Sequence, residues 1–133
     1  MNKTGLVLFA HGARDPRWAA PFEAVLQRVK AQQAEVPVTE APRIEAPVML
    51  AFLEFMSPTL PEATSQLVDA GCTQVQVLPL FLGTGGHLRR DLPLLIDELR
   101  SAHPQTTFTL HTAAGETATV IDALAQVALG HLV

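Results

Sequence analysis

The strongest constraint on the fold is the regular alternation of short apolar runs with stretches at helical spacing, repeated four times. Leu6-Val-Leu-Phe-Ala10 is continuously apolar, as expected for a strand covered on both faces. Trp18, Phe22, Val25, Leu26 and Val29 follow at helical intervals, with Pro21 tolerable in a first turn. Val48 to Leu53 is a second buried strand, and its helix starts after Ser57-Pro58 or Thr59-Leu60-Pro61 and ends at Gly71. Val75 to Leu82 is a third strand despite Pro79, which removes a ladder donor. Leu92, Leu95, Ile96, Leu99 and Ala102 stripe a third helix that stops before Pro104. Thr107 to His111 alternates as an edge strand, and Val120, Ile121, Leu124, Val127 and Ala128 mark a last helix. Strands and helices alternating in this way imply right-handed crossovers. The expected fold is an α/β chain whose residues 1–133 form a single three-layer α/β/α domain around a four-stranded, mainly parallel sheet.

Composition narrows the function. At 133 residues, with 48% apolar and 17% charged side chains, the chain can bury a core without staples. A net charge of -4 has the wrong sign for a general nucleic-acid binder. The apolar start before Ala10 is too short for a signal segment or a membrane span, so a cytoplasmic protein that contacts no membrane is expected. One cysteine, Cys72, excludes a disulfide framework and a multi-cysteine metal site; just after Gly71 it reads as a small buried hydrophobe. The segment from Glu35 to Pro47, with Pro37, Pro42 and Pro47, is either a long surface connection or a cover for a short extra strand.

In open parallel sheets ligands bind beyond the carboxyl ends of the strands, where strand order reverses. Here those ends carry His11-Gly-Ala-Arg-Asp15, Glu54, Gly83-Thr-Gly-Gly-His87 and His111. With strand order 2-1-3-4, His11 and His87 face each other across the crevice. Each residue also has a structural reading. His11 can cap a strand end, the glycines before His87 can be a flexible loop, and Asp91 before Leu92-Pro93 reads as an N-cap. Arg89 and Arg90 are either solvated or grip carboxylates. His103 and His131 lie near helix ends, and His111 reads as a bystander on the edge strand. Glu54 closes an apolar strand and calls for a partner or a cation. No H-E-x-x-H spacing, P-loop or G-x-S-x-G elbow is present. Two histidines and a carboxylate without those signatures favour a site that holds a metal weakly and moves protons.

At these residues the chain resembles the small class II tetrapyrrole chelatases, the short CbiX type of sirohydrochlorin chelatase. The likeness lies in His11-Gly-Ala-Arg-Asp-Pro16, Ala51-Phe-Leu-Glu54, Leu78-Pro-Leu-Phe-Leu-Gly83 and Gly86-His-Leu-Arg-Arg-Asp-Leu-Pro93, in family order. Ala13 stands where the family commonly has serine, and the 35–47 connection is longer than the family needs. The resemblance implies insertion of cobalt, iron or nickel into sirohydrochlorin without ATP, on the route to cobalamin or sirohaem. The metal is then a substrate and no permanent cofactor is needed. It makes His11 and His87 the metal-binding and catalytic pair, associates Glu54 with the same site, and implies a homodimer of single lobes. Arg14, Arg89 and Arg90 suit the carboxylates of such a macrocycle, and Leu82, Leu88 or Trp18 its ring face, with Gly85 and Gly86 in the adjoining turn. Two other readings compete. A histidine phosphatase needs an arginine where Ala10 stands, and a non-catalytic metal or tetrapyrrole carrier can use the same site.

Overall fold

Four strands, β1 (Thr4–Ala10), β2 (Val48–Phe52), β3 (Gln74–Pro79) and β4 (Thr107–Leu110), form one fully parallel sheet in the order β2-β1-β3-β4. The computed structural model describes residues 2–133. Five helices join and follow the strands: α1 (Ala20–Glu35), α2 (Ala41–Glu45), α3 (Leu60–Asp69), α4 (Gly86–Ala102) and α5 (Ala118–Leu129).

The sheet buries an apolar cluster on each face. Val7, Phe9, Ala51, Val75, Val77 and Phe108 point toward α3 and α4, meeting Leu67, Leu92, Ile96 and Leu99. Leu8, Ala10, Val48, Leu50 and Phe52 point the other way, toward Phe22, Leu26 and Val29 of α1. Burial on both sides explains why β1 and β2 read as unbroken apolar runs. Cys72 is buried beside Gly5, and that burial pushes its thiol up from the ordinary range, as expected for an inert packing residue.

Several boundaries differ from the sequence reading. The third strand stops at Pro79 rather than Leu82, and the second at Phe52 rather than Leu53. Trp18 lies in a 3-10 turn, Pro16–Ala19, ahead of α1 and not in the helix. The 35–47 connection holds a 3-10 turn, Val38–Glu40, and the short α2, with no extra strand; Gln33 ties it to α1 by donating to the Arg43 and Ala46 carbonyls. Thr59, not Ser57, starts α3, through a reciprocal capping box with Glu62.

The largest difference is α4. Its N-cap is Gly85, so Asp91 is helical and caps nothing, and Pro93 sits inside the helix. Glycine is a poor helix former, but extending the helix to Gly86 lets Leu88 join the same apolar stripe as Leu92 and Leu95. Pro93 leaves the Arg89 carbonyl without its helical donor, and both residues are exposed, so water can take that role.

Candidate metal and tetrapyrrole site

Parallel pairing carries the carboxyl ends of β1 and β2 to one edge in step. Ala10 is opposite Phe52, and the ladder continues beyond both strands: the Leu53 amide donates to the Ala10 carbonyl at 2.9 Å and the Glu54 amide to the His11 carbonyl at 3.1 Å. This close approach requires Gly12. Its φ is +90°, and a Cβ there would land on the Glu54 carbonyl oxygen. The two loops therefore present their side chains together, and His11 Nε2 lies 3.1 Å from Glu54 Oε1. Both side chains are about half exposed, at 46% and 47%. Surface pairs of this kind add little stability, so the pair is available for chemistry.

That separation suits a shared cation as well as a hydrogen bond. Ligand bonds of about 2.0–2.2 Å to one nitrogen and one oxygen span 3.1 Å when the angle at the metal is about 95°. As a hydrogen bond, the Nε2–H of His11 donates to the carboxylate. Among the described residues, no group of three or more His, Cys, Asp or Glu side chains is placed to hold a metal. The His11–Glu54 site is sparse and open.

His11 also borders a cleft of about 460 Å³ with Trp18, Phe22, Leu80, Phe81, Leu82, Gly83 and Leu88. Its ring meets Phe81 edge-on at 6.1 Å between centroids. Leu82 is 72% exposed, an aliphatic side chain offered to solvent rather than to the core. A second cavity of about 320 Å³ shares Leu88 and is lined by Thr84, Arg89, His111, Thr112 and Glu116 among others. Arg89 reaches Glu116 at 3.9 Å, and His111 Nε2 lies 2.6 Å from Gln76 Oε1. The segment after β4 is pressed against the segment after β3: Gly115 donates to the Phe81 carbonyl, and a Cβ on Gly115 would collide with the Leu82 backbone.

The other residues singled out from sequence are placed as follows. His87 is exposed on the first turn of α4, directly before Leu88. Gly85 is the N-cap, with no side chain to cap the helix, and added Cβ atoms at Gly83, Gly85 or Gly86 would meet nothing within 4 Å. The first amides of α4 are left without a side-chain cap at that end. Arg90 Nε donates to the Gly86 carbonyl at 3.4 Å. Asp15 caps the 3-10 turn; the Arg17 guanidinium and then the Arg17 amide hold its carboxyl below the ordinary carboxylate range.

Arg14 lies over the ring of Phe55, with its guanidinium carbon 5.0 Å from the centroid. The residue reading of the sequence missed Phe55. It has φ +67°, a left-handed backbone that costs a bulky side chain about 1–3 kcal/mol, yet it is 57% exposed. An exposed cation–π contact returns only about 0.5–1 kcal/mol. An aromatic directly after Glu54, outside any apolar repeat, was the available signal.

Comparisons with known proteins identify the family and the fold. The family model CbiX matches residues 5–129, and the chain belongs to the CbiX family. A sirohydrochlorin cobaltochelatase of Methanococcus maripaludis is 33% identical over 91 residues, 68% of this chain and 56% of that protein. One from Saccharolobus solfataricus is 36% identical over 92 residues, 69% of this chain and 62% of that protein. The chain thus spans less than two-thirds of the curated relatives it matches. Among solved structures, a proposed cobalamin (vitamin B12) biosynthesis CbiX protein from Marinobacter aquaeolei VT8 superposes with a TM-score of 0.80 at 29% identity, covering 97% of each chain. SirB from Bacillus subtilis with Fe3+ gives 0.73 at 26% identity, over 93% of this chain and 45% of SirB. The sirohydrochlorin chelatase SirB from Bacillus subtilis subspecies spizizenii in complex with cobalt gives 0.69 at 26% identity, over 93% of this chain and 49% of that chain.

Proposed function

We propose that this chain inserts a divalent metal into sirohydrochlorin without ATP, with cobalt first among cobalt, iron and nickel. The observation that carries this reading is the exposed His11–Glu54 pair, 3.1 Å apart, whose histidine borders an apolar cleft. Metal insertion exchanges M²⁺ for two pyrrole protons. A cation on one imidazole and one carboxylate keeps its other positions free for the ring nitrogens, and the carboxylate balances its charge. Once the metal leaves, the same imidazole and carboxylate are free to accept the displaced protons. His87, one residue from the cleft-lining Leu88, completes the pair of histidines as metal leaves or protons depart. Trp18, Phe22, Leu82 and Leu88 offer the ring an apolar seat. Arg14, Arg89 and Arg90 orient its carboxylates, beside the open turn of Gly85 and Gly86.

Mixing the purified protein with Co²⁺ and metal-free sirohydrochlorin should shift the macrocycle absorbance through many turnovers. Binding of both without turnover would make the chain a carrier instead.

The acting unit is a homodimer of one-lobe chains, working in the cytoplasm, where a lone buried thiol stays reduced. Two observations support the second copy. Helix α5 buries none of its residues, and Asp122 is its single charge; Ile121 and Val127 are 52% and 63% exposed. A helix apolar nearly all round belongs in an interior. It does not return to its own sheet, because the uncovered β3–β4 half there carries Gln74, Gln76, Thr107 and Thr109. Secondly, 93% of this chain accounts for only 45% of SirB, which leaves room in that polypeptide for an equivalent of a second copy. Light scattering should give twice the chain mass for the wild type and one chain mass for Leu124→Glu, with helix content unchanged. A monomeric wild type would exclude the dimer.

A further inference from the structure

We infer that Phe55 is a ligand-binding residue, the aromatic seat for one edge of a flat, carboxylate-bearing conjugated ring, with Arg14 as the cationic anchor for a carboxylate on that edge. The inference rests on the tetrapyrrole reading of the site and adds to it a residue and a contact.

Phe55 makes no sense as a residue selected for stability. Its backbone is left-handed at φ +67°, a conformation glycine adopts freely and a bulky side chain adopts at a cost. Packing does not offset that cost, since the residue is 57% exposed. Its cation–π partner is also at the surface, where such contacts return less than the strain takes. Strain of this kind persists where a bound state rewards it.

Placement indicates what that reward is. Phe55 follows Glu54 directly, and Arg14 is three residues beyond His11, so the two loops that carry the His11–Glu54 pair are joined a second time by Arg14 over Phe55. Ala13, Pro16, Met56 and Ser57 line a shallow cavity of about 310 Å³ around this second junction. The ligand is therefore one that reaches from the His11–Glu54 pair to a ring and a guanidinium in the next residues. Phe55 supplies an apolar π-face. A guanidinium stacked on a ring spends its face there and keeps its edge N–H donors free for a carboxylate. A planar macrocycle rimmed with carboxylates meets both demands together; a bare metal ion meets neither.

Trp18, the chain's single tryptophan, lines the His11 cleft and reports binding by fluorescence quenching. The test titrates metal-free sirohydrochlorin into the wild type and into Phe55→Gly, Phe55→Leu and Phe55→Tyr, with melting temperature and Co²⁺ affinity measured in parallel. Phe55→Gly should weaken macrocycle binding about tenfold, leave Co²⁺ affinity unchanged, and keep or raise the melting temperature as strain is released. Phe55→Leu should fall between the two, and Phe55→Tyr should match the wild type. Equal macrocycle affinity in Phe55→Gly, beside intact wild-type binding, overturns the role of Phe55 alone. A lower melting temperature in Phe55→Gly with unchanged binding shows a packing residue and overturns it too. Absence of quenching in the wild type overturns the tetrapyrrole reading and this inference with it.

Discussion

Replacing His11 with alanine is expected to lower metal insertion at least about 100-fold, with the melting temperature within a few degrees of wild type. The ring is about half exposed, so its removal opens no cavity in either core cluster. What it removes is the imidazole nitrogen that lies 3.1 Å from the Glu54 carboxylate. Glu54→Gln separates charge from shape: the amide still pairs with the imidazole but no longer neutralises a bound cation, and insertion should fall about tenfold or more. Steady-state rates from the macrocycle absorbance, with circular dichroism as the folding control, measure both. Activity within threefold of wild type in His11→Ala would remove this residue from the mechanism.

The largest effect on stability is expected at Gly12. Alanine there must hold φ near +90° and place a methyl group on the Glu54 carbonyl oxygen. Neither the strain nor the clash is relieved without parting the two loops, because the Leu53 and Glu54 amides are bonded to the Ala10 and His11 carbonyls. Together these should cost about 3 kcal/mol or more, measured as a lowered denaturant midpoint. Any folded fraction should also lose insertion, since parting the loops separates His11 from Glu54. A stability equal to wild type would mean that the approach of these loops is not tight.

Much of this is legible in the sequence. The apolar runs of β1 and β2, the stripes of α1 and α4 and the start and stop signals of α3 place the layers, and with strand order 2-1-3-4 they bring the strand ends to one edge. Glu54 at the end of an apolar strand called for a partner, and His11 is that partner. The rest depends on contacts between segments far apart in sequence. Asp91-Leu92-Pro93 has the local look of a helix start, but burial of Leu88 carries α4 back to Gly86. The need for glycine at position 12 comes from the Glu54 carbonyl, 42 residues away, and no local pattern encodes it. Helical periodicity identified α5 but carries no information about the surface it meets. Phe55 lies outside every apolar repeat, and its exposure shows only once the chain has turned after Glu54.

The proposed insertion requires one cation held between His11 and Glu54 before it enters the macrocycle. Anomalous diffraction at the cobalt edge, on crystals of this protein soaked with Co²⁺, locates that cation. A single strong peak is expected within about 2.0–2.2 Å of both His11 Nε2 and Glu54 Oε1, lost in His11→Ala crystals. Cobalt bound elsewhere, or bound at the same place without the His11 imidazole, would contradict it.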